Sequence, residues 1–308
     1  MSTETTTKNK TKKHLLAPGH RACAGCGQLI AARHVIETMG PDTVIANGTG
    51  CLEVTTSPYP ESSWGVPWIH SLFDNSAAIA SGIRAALDSK GAKGKKTNVL
   101  AQGGDGGTFD IGLGVISGMW ERAENIKYVC YDNEAYANTG MQASTATPWG
   151  SSTTTTPSGS GDTIDAIGSH LRKKNIVNIA LAHRLKYVAQ TTICHIEDLK
   201  AKVAKAAAID GPTYIQVLVP CVPGWKTPPD QTISISKLAA NTGLYPLLEY
   251  ENGQLTNVLK VPAKTPKVDE YLKAQGRFAH LFKDKQGKEQ IKHIQAIADE
   301  NIRIYGLK

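Results

Sequence analysis

The chain has 308 residues, 41% of them hydrophobic and 20% charged, which is ordinary for a folded globular protein long enough to bury a large core. No run of eighteen apolar residues is present, so membrane insertion is not expected, and extensive disorder is excluded by the same composition. The formal charge of +7 is dispersed and partly terminal, at Lys8, Lys10, Lys12 and Lys13 and again after Lys260, which argues against a nucleic-acid footprint and leaves a basic face for an acidic protein partner.

In chain order, residues 1–13 read as a disordered or extended tail without the apolar stretch of a signal peptide, pointing to a cytoplasmic location. Thr43 to Asn47, TVIAN, is a short β-branched strand. TNVLAQGGDGG runs a strand into a glycine turn, a helix is expected over Ile111–Glu124, and IKYVCYDN forms a strand over Ile126–Asn133. LKYVAQTT and PTYIQVLVP are strands around an amphipathic helix at Ile196–Ala208. Strands alternating with helices define an α/β fold, a doubly wound and mostly parallel sheet covered on both faces. SSTTTTPSGSG, 151–161, is too polar for the core and reads as a surface or active-site loop. The main domain is expected over 14–228, with 229–308 as a C-terminal extension packing on a partner subunit.

The segment richest in chemistry is 103–140, GGDGGTFDIG to YDNEAYANTG. Gly104, Gly106 and Gly107 let backbone amides approach a phosphate, and the following helix turns its positive end to the same place. Asp105 lies in that turn and Asn133 ends the next strand, so both fall at the carboxyl edge of adjacent parallel strands, where such sheets bind ligands. A carboxylate, an amide oxygen and diphosphate oxygens suit Mg²⁺. A plain glycine turn with Asp105 as a helix cap would explain GDG alone. GDG followed by Asn at the end of the next strand resembles the thiamine diphosphate fingerprint.

Six cysteines in a cytoplasmic chain do not suggest a disulfide framework. Cys130, inside a strand, and Cys194, at a strand–helix junction, read as small buried fillers. Cys23, Cys26, Cys51 and Cys221 stand beside glycine or proline in CAGCG, GTGC and VPCVPG, as ligands of zinc or of an iron–sulfur cluster. Spacing alone leaves both open, though two isolated cysteines rather than a second compact pair tilt the choice to a cluster.

GHRACAGCG, GTGCLEV, PWIHSLFDNSAAIASG, GGDGGTFDIG and YDNEAYANTGMQASTATP together resemble the beta subunit of the 2-oxoacid:ferredoxin oxidoreductases, nearest to the pyruvate enzymes. The resemblance covers about 14–230 and returns at VDEYLKAQGRFAHL. It implies a 4Fe-4S cluster on Cys23, Cys26, Cys51 and Cys221, and Mg²⁺ on Asp105, Asn133 and the Ala135 carbonyl. It implies thiamine diphosphate lined by Gly104 to Gly107 and Tyr136, with Gln28 and Cys51 also touching it and Asn138 beside the reacting carbon. His70 and Asn75 are weaker candidates from a loop near the pyrimidine, and a structural role explains His70 equally well. The implied reaction turns a 2-oxoacid, CoA and oxidised ferredoxin into acyl-CoA, CO₂ and reduced ferredoxin. The chain has motifs for only the diphosphate half of such a site, and Glu53 and Glu134 belong to that half. An alpha subunit is therefore expected to supply the glutamate that activates the aminopyrimidine, with gamma and ferredoxin-like delta subunits completing the complex. Other 2-oxoacids, branched-chain or oxalate, a non-redox thiamine decarboxylase or synthase subunit holding structural zinc, and a non-enzymatic zinc or nucleic-acid binding protein are the alternatives.

Overall fold

The computed structural model describes residues 14–58, 62–159 and 167–308. The expected N-terminal tail and most of the far end of the 151–161 loop lie outside these residues, and 151–159 carry no helix or extended strand. Among the described residues the elements run α1 (Gly27–Met39), β1 (Thr43–Gly48), α2 (Cys51–Thr56), β2 (Trp68–Ser71), α3 (Ser76–Asp88), α4 (Ala92–Lys95), β3 (Asn98–Gly104), α5 (Leu113–Glu121) and β4 (Lys127–Asp132). They continue with α6 (Ile176–Ala182), β5 (Tyr187–Thr192), α7 (Ile196–Ala208), β6 (Thr213–Leu218), α8 (Val222–Trp225), α9 (Thr232–Asn241), β7 (Leu248–Glu251), β8 (Gln254–Val258), α10 (Val268–Lys273) and α11 (Lys285–Ile304).

The strands form one eight-stranded sheet in the order β2-β1-β3-β4-β6-β5-β7-β8. The first six pair in parallel, and β7 and β8 add an antiparallel edge. Both faces of the central strands are covered, which is why they read as apolar runs. On β4, Val129 and Tyr131 pack with α1 and α7, whereas Tyr128 and Cys130 pack with α3, α5 and α6 on the opposite face. The sheet grows from β1 to β2 in one direction and from β3 onward in the other. The crevice between the carboxyl ends of β1 and β3 is thus its topological switch point.

Two expectations are corrected. The helix expected at Ile111–Glu124 begins earlier and differently: Gly106–Ile111 form a turn of π-helix, and α5 follows at Leu113. The C-terminal part, 229–308, is not separate from the body of the chain. β7 pairs with β5, and α9, α10 and α11 bury Ile235, Tyr271, Leu272, Phe278 and Ile294 in a third core continuous with Leu218 of β6 and Trp225. The misreading has a physical source, since β7 and β8 are only four and five residues long and β8 is almost wholly exposed. Among the described residues, no helix is long and apolar enough to cross a membrane.

Candidate active site at the sheet switch point

Three loops that leave parallel strands meet at the switch point. Residues 47–52 run from the end of β1 into α2, 103–107 run from the end of β3 into the glycine turn, and 133–138 follow β4. With Gln28 of α1 and Phe73 they line one cleft. The structure thus brings together Gln28, Cys51, Gly104, Asp105, Gly106, Gly107, Asn133, Ala135, Tyr136 and Asn138. Gly104 opens onto the cleft, because a Cβ there would meet no protein atom within 4 Å. Gly106 is required for a different reason: a Cβ would lie 2.3 Å from the ring of Tyr136, whose hydroxyl donates to the Gly106 carbonyl at 3.1 Å.

Asp105 is fully buried. Its carboxylate accepts the Asn133 N–H at 3.2 Å and the Ser144 hydroxyl at 2.5 Å. Burial, reinforced by the nearby Asp132 charge, raises its pKa well above the usual carboxylate range. The end of the Asn133 side-chain amide lies 2.8 Å from the Ala135 carbonyl oxygen and 3.1 Å from Asp105 Oδ1, and with its NH₂ there it donates to both. Turned over, the same amide presents its oxygen beside the Asp105 carboxyl and the Ala135 carbonyl, a set of three oxygens. That arrangement suits a small hard cation, which would supply positive charge beside the buried carboxyl.

The turn carrying these oxygens is held from behind by a buried ion network. Lys173 Nζ lies 2.6 Å from Asp132 and 2.9 Å from Glu134, and Arg277 lies 2.6 Å from Glu134. Burial alone would raise the Glu134 pKa, but Lys173 and Arg277 outweigh it and hold the carboxyl below its ordinary value.

The thiols gather on the other side of the cleft. Cys26 directly precedes α1, Cys51 opens α2 and Cys221 directly precedes α8. The turn Cys23–Cys26 is fixed against the Cys221 loop: Gly27 N–H donates to the Pro220 carbonyl at 3.3 Å and Thr232 to the Gly25 carbonyl at 2.6 Å. Gly25, with φ of 72°, is packed so closely that a Cβ would lie 2.3 Å from the Pro229 carbonyl oxygen. Backbone N–H groups of Leu29 and Gln28 face the Cys26 sulfur, and that of Gly224 faces Cys221. Burial, with the neighbouring Cys221, Cys26 and Cys23, pushes the Cys51 thiol up to about 12; burial lifts Cys221 to about 11. Thiols so placed ionise when a metal replaces their protons. Among the described residues no three His, Cys, Asp or Glu side chains form a ready-made site for a single ion. Cys130 is fully buried within β4 and Cys194 is half-buried.

His70 and Asn75 do not join the cleft. His70 stacks on Trp68 with ring centroids 5.0 Å apart and lies 3.7 Å from Glu53, half exposed on edge strand β2. Asn75 precedes α3 and donates to Ser71 at 3.5 Å. Sequence reasoning missed Ser144, Lys173, Trp225 and Arg277. Of these Ser144 and Arg277 lie in segments singled out from the sequence, YDNEAYANTGMQASTATP and VDEYLKAQGRFAHL, Ser144 without a role and Arg277 in the extension expected to face another chain.

Residues 48–217 match the family described as thiamine pyrophosphate enzyme, C-terminal TPP binding domain, and the cleft occupies the edge of the sheet spanned by that match. The chain is 50% identical over 301 residues to pyruvate synthase subunit PorB of Methanocaldococcus jannaschii, covering 96% of this chain and 98% of the relative. It is likewise 50% identical over 296 residues to PorB of Methanosarcina barkeri, with 96% and 98% covered. It is 41% identical over 270 residues to ketoisovalerate oxidoreductase subunit VorB of Pyrococcus abyssi, covering 86% of each chain. The chain is a thiamine pyrophosphate enzyme by family, and within it belongs to the family of pyruvate synthase PorB subunits. A chain of the solved 2-oxoglutarate:ferredoxin oxidoreductase from Magnetococcus marinus has the same fold, with a TM-score of 0.55 at 19% identity over 77% of this chain and 84% of that one.

Proposed function

We infer that this chain is the thiamine diphosphate-binding beta subunit of a cytoplasmic pyruvate:ferredoxin oxidoreductase, which converts pyruvate and CoA to acetyl-CoA and CO₂ and passes electrons to ferredoxin. The observation that carries the reading is the cleft at the switch point, where the Asp105 carboxyl, the Asn133 side-chain amide and the Ala135 carbonyl stand beside Gly104, Gly106 and Gly107. They would hold Mg²⁺, with the amides at Gly104 to Gly107 taking the diphosphate and Tyr136 and Gln28 flanking it. Bound thiamine diphosphate supplies a nucleophilic carbon for the 2-oxo carbonyl and an electron sink for decarboxylation. Asn138, exposed at the mouth of the cleft, would hydrogen-bond the substrate beside the reacting carbon.

Cys23, Cys26, Cys51 and Cys221 would hold a 4Fe-4S cluster, and the two isolated cysteines, Cys51 and Cys221, in place of a second compact pair favour this over structural zinc. The glutamates near the cleft are engaged elsewhere. Glu134 pairs with Lys173 and Arg277, and Glu53 accepts from Ser57 at 3.1 Å and faces His70. The aminopyrimidine-activating glutamate therefore comes from an alpha subunit, with gamma and delta subunits completing the complex and a ferredoxin-like chain carrying electrons outward. The test is anaerobic CO₂ release and viologen reduction with pyruvate and CoA. The assembled complex should turn over and prefer pyruvate to 2-ketoisovalerate, whereas the isolated chain with its cluster reconstituted should be inactive. Turnover by the isolated chain would overturn the shared site, and preference for the branched substrate would overturn pyruvate.

A further inference from the structure

Glu134 stands between the two residues that contribute oxygens to the Asp105 site, and its φ is 66°. A non-glycine residue in the left-handed region is strained and persists only where its surroundings determine it fully. Here they do. Its N–H donates to Asp132 at 3.2 Å, its carbonyl accepts the Thr147 hydroxyl at 2.8 Å, and its carboxylate is gripped by Lys173 and Arg277. The left-handed residue lies where the chain brings the Ala135 carbonyl within 2.8 Å of the Asn133 side chain, which itself lies 3.1 Å from Asp105 Oδ1.

Arg277 arrives from 143 residues away and is only 2% exposed. Its Nε donates to Gln275 at 2.8 Å, and its guanidinium carbon lies 3.9 Å from the ring centroid of Trp225. Trp225 connects both sites. Its indole N–H donates to the Asn133 carbonyl at 2.9 Å, and its backbone N–H donates to the Cys221 carbonyl at 2.8 Å. Asn133, Ala135, Cys221, Trp225 and Arg277 line one small gap between the oxygen site and the thiols.

We propose that Arg277 is a positioning residue for both sites: it holds the Asn133–Ala135 turn through Glu134 and the Cys221 loop through Trp225, setting one against the other. Arginine suits this place because one planar group can pair with a carboxylate at its edge and stack on an indole with its face. A lysine could reproduce the charge but not the stack. The proposal rests on the cofactor reading above. It goes beyond that reading in assigning the geometry of two cofactor sites to a residue that touches neither cofactor.

The experiment uses the assembled complex prepared anaerobically. Thiamine diphosphate affinity at saturating Mg²⁺ is measured by calorimetry after the cofactor is stripped, and the electron paramagnetic resonance spectrum is recorded after dithionite reduction. Arg277→Met should weaken thiamine diphosphate binding at least tenfold and alter the spectrum of the cluster on this chain. Arg277→Lys should recover much of the affinity and leave the spectrum altered. Ile294→Val, in the same C-terminal core, should change neither. If Arg277→Met does not assemble, Trp225→Phe keeps a ring for the guanidinium while losing the bond to the Asn133 carbonyl and part of the buried indole, and should weaken binding with a smaller spectral change. Wild-type affinity and spectrum in Arg277→Met, or in Trp225→Phe where the former does not assemble, would overturn the proposal. Absence of Mg²⁺-dependent binding or of iron in the wild-type complex would instead overturn the cofactor reading.

Discussion

Replacing Asp105 by Asn separates binding from folding, because the structure gives the two effects opposite weights. In the cofactor-free chain the carboxyl is fully buried and its pKa is raised, so its charge is a burden there. An amide of the same shape keeps an oxygen for the Asn133 N–H and presents its NH₂ to the Ser144 oxygen, so the cofactor-free stability should change by no more than about 1 kcal/mol. With a cation bound as proposed, Asp105 would be the sole charged protein ligand. Removing one partner of a buried charge pair costs about 3–5 kcal/mol, which is a loss of at least two orders of magnitude in Mg²⁺-dependent thiamine diphosphate affinity. Titration calorimetry on the stripped complex, beside urea denaturation in EDTA, reads both quantities. Unchanged affinity would reject Asp105 as a ligand, and collapse of the cofactor-free protein would show that the carboxylate serves the fold instead.

Other substitutions test separate parts of the site. Cys221→Ser should lower the iron content, whereas Cys130→Ser, inside β4, should leave it intact; equal loss in both would show the cysteines wrongly divided. Gly106→Ala should force the Tyr136 ring aside, costing about 1–3 kcal/mol in a denaturation assay, while Gly104→Ala should leave stability unchanged and still weaken the cofactor, since its methyl would occupy the cleft. Equal effects on stability would refute that distinction. Lys127 is buried against the Ile209 and Gly211 carbonyls, and burial lowers its pKa to about 8 despite Asp210. The unfolded chain, with a lysine pKa near about 10.4, then binds more protons between these values. Wild type should therefore gain stability relative to Lys127→Met as pH rises from 8 toward 10, by at most about 3 kcal/mol. Parallel pH profiles would refute the depressed pKa.

Much of the site was legible because its parts are local. GDG and YDN are short stretches at the ends of strands whose apolar runs could be read, and parallel pairing of β3 with β4 puts them side by side. The four cysteines were separable from Cys130 and Cys194 by their glycine and proline neighbours. The supports of the site were not legible, because they depend on distant pairing. Nothing near Glu134 marks it as the partner of Arg277, and nothing in KKN predicts that Lys173 will bridge Asp132 and Glu134. The C-terminal fold was obscured for another reason. α11 carries its few buried positions, Ile294 and Ala298 among them, within a largely charged sequence, so its apolar stripe is narrow. His70 and Asn75 were suggested by resemblance alone, and the structure leaves them beside the cleft rather than in it.

The central claim is that a thiamine diphosphate cleft and a redox cluster share this one chain, and metal analysis tests it most directly. The complex is purified without oxygen, its subunits are separated under the same conditions, and iron, acid-labile sulfide and zinc are counted on this chain. About four irons and four sulfides per chain, with the broad visible absorption of a cubane cluster that fades on reduction, are expected from four thiolate ligands. One zinc per chain and no labile sulfide would contradict the account, leaving a thiamine site with structural metal and no route for electrons through this subunit.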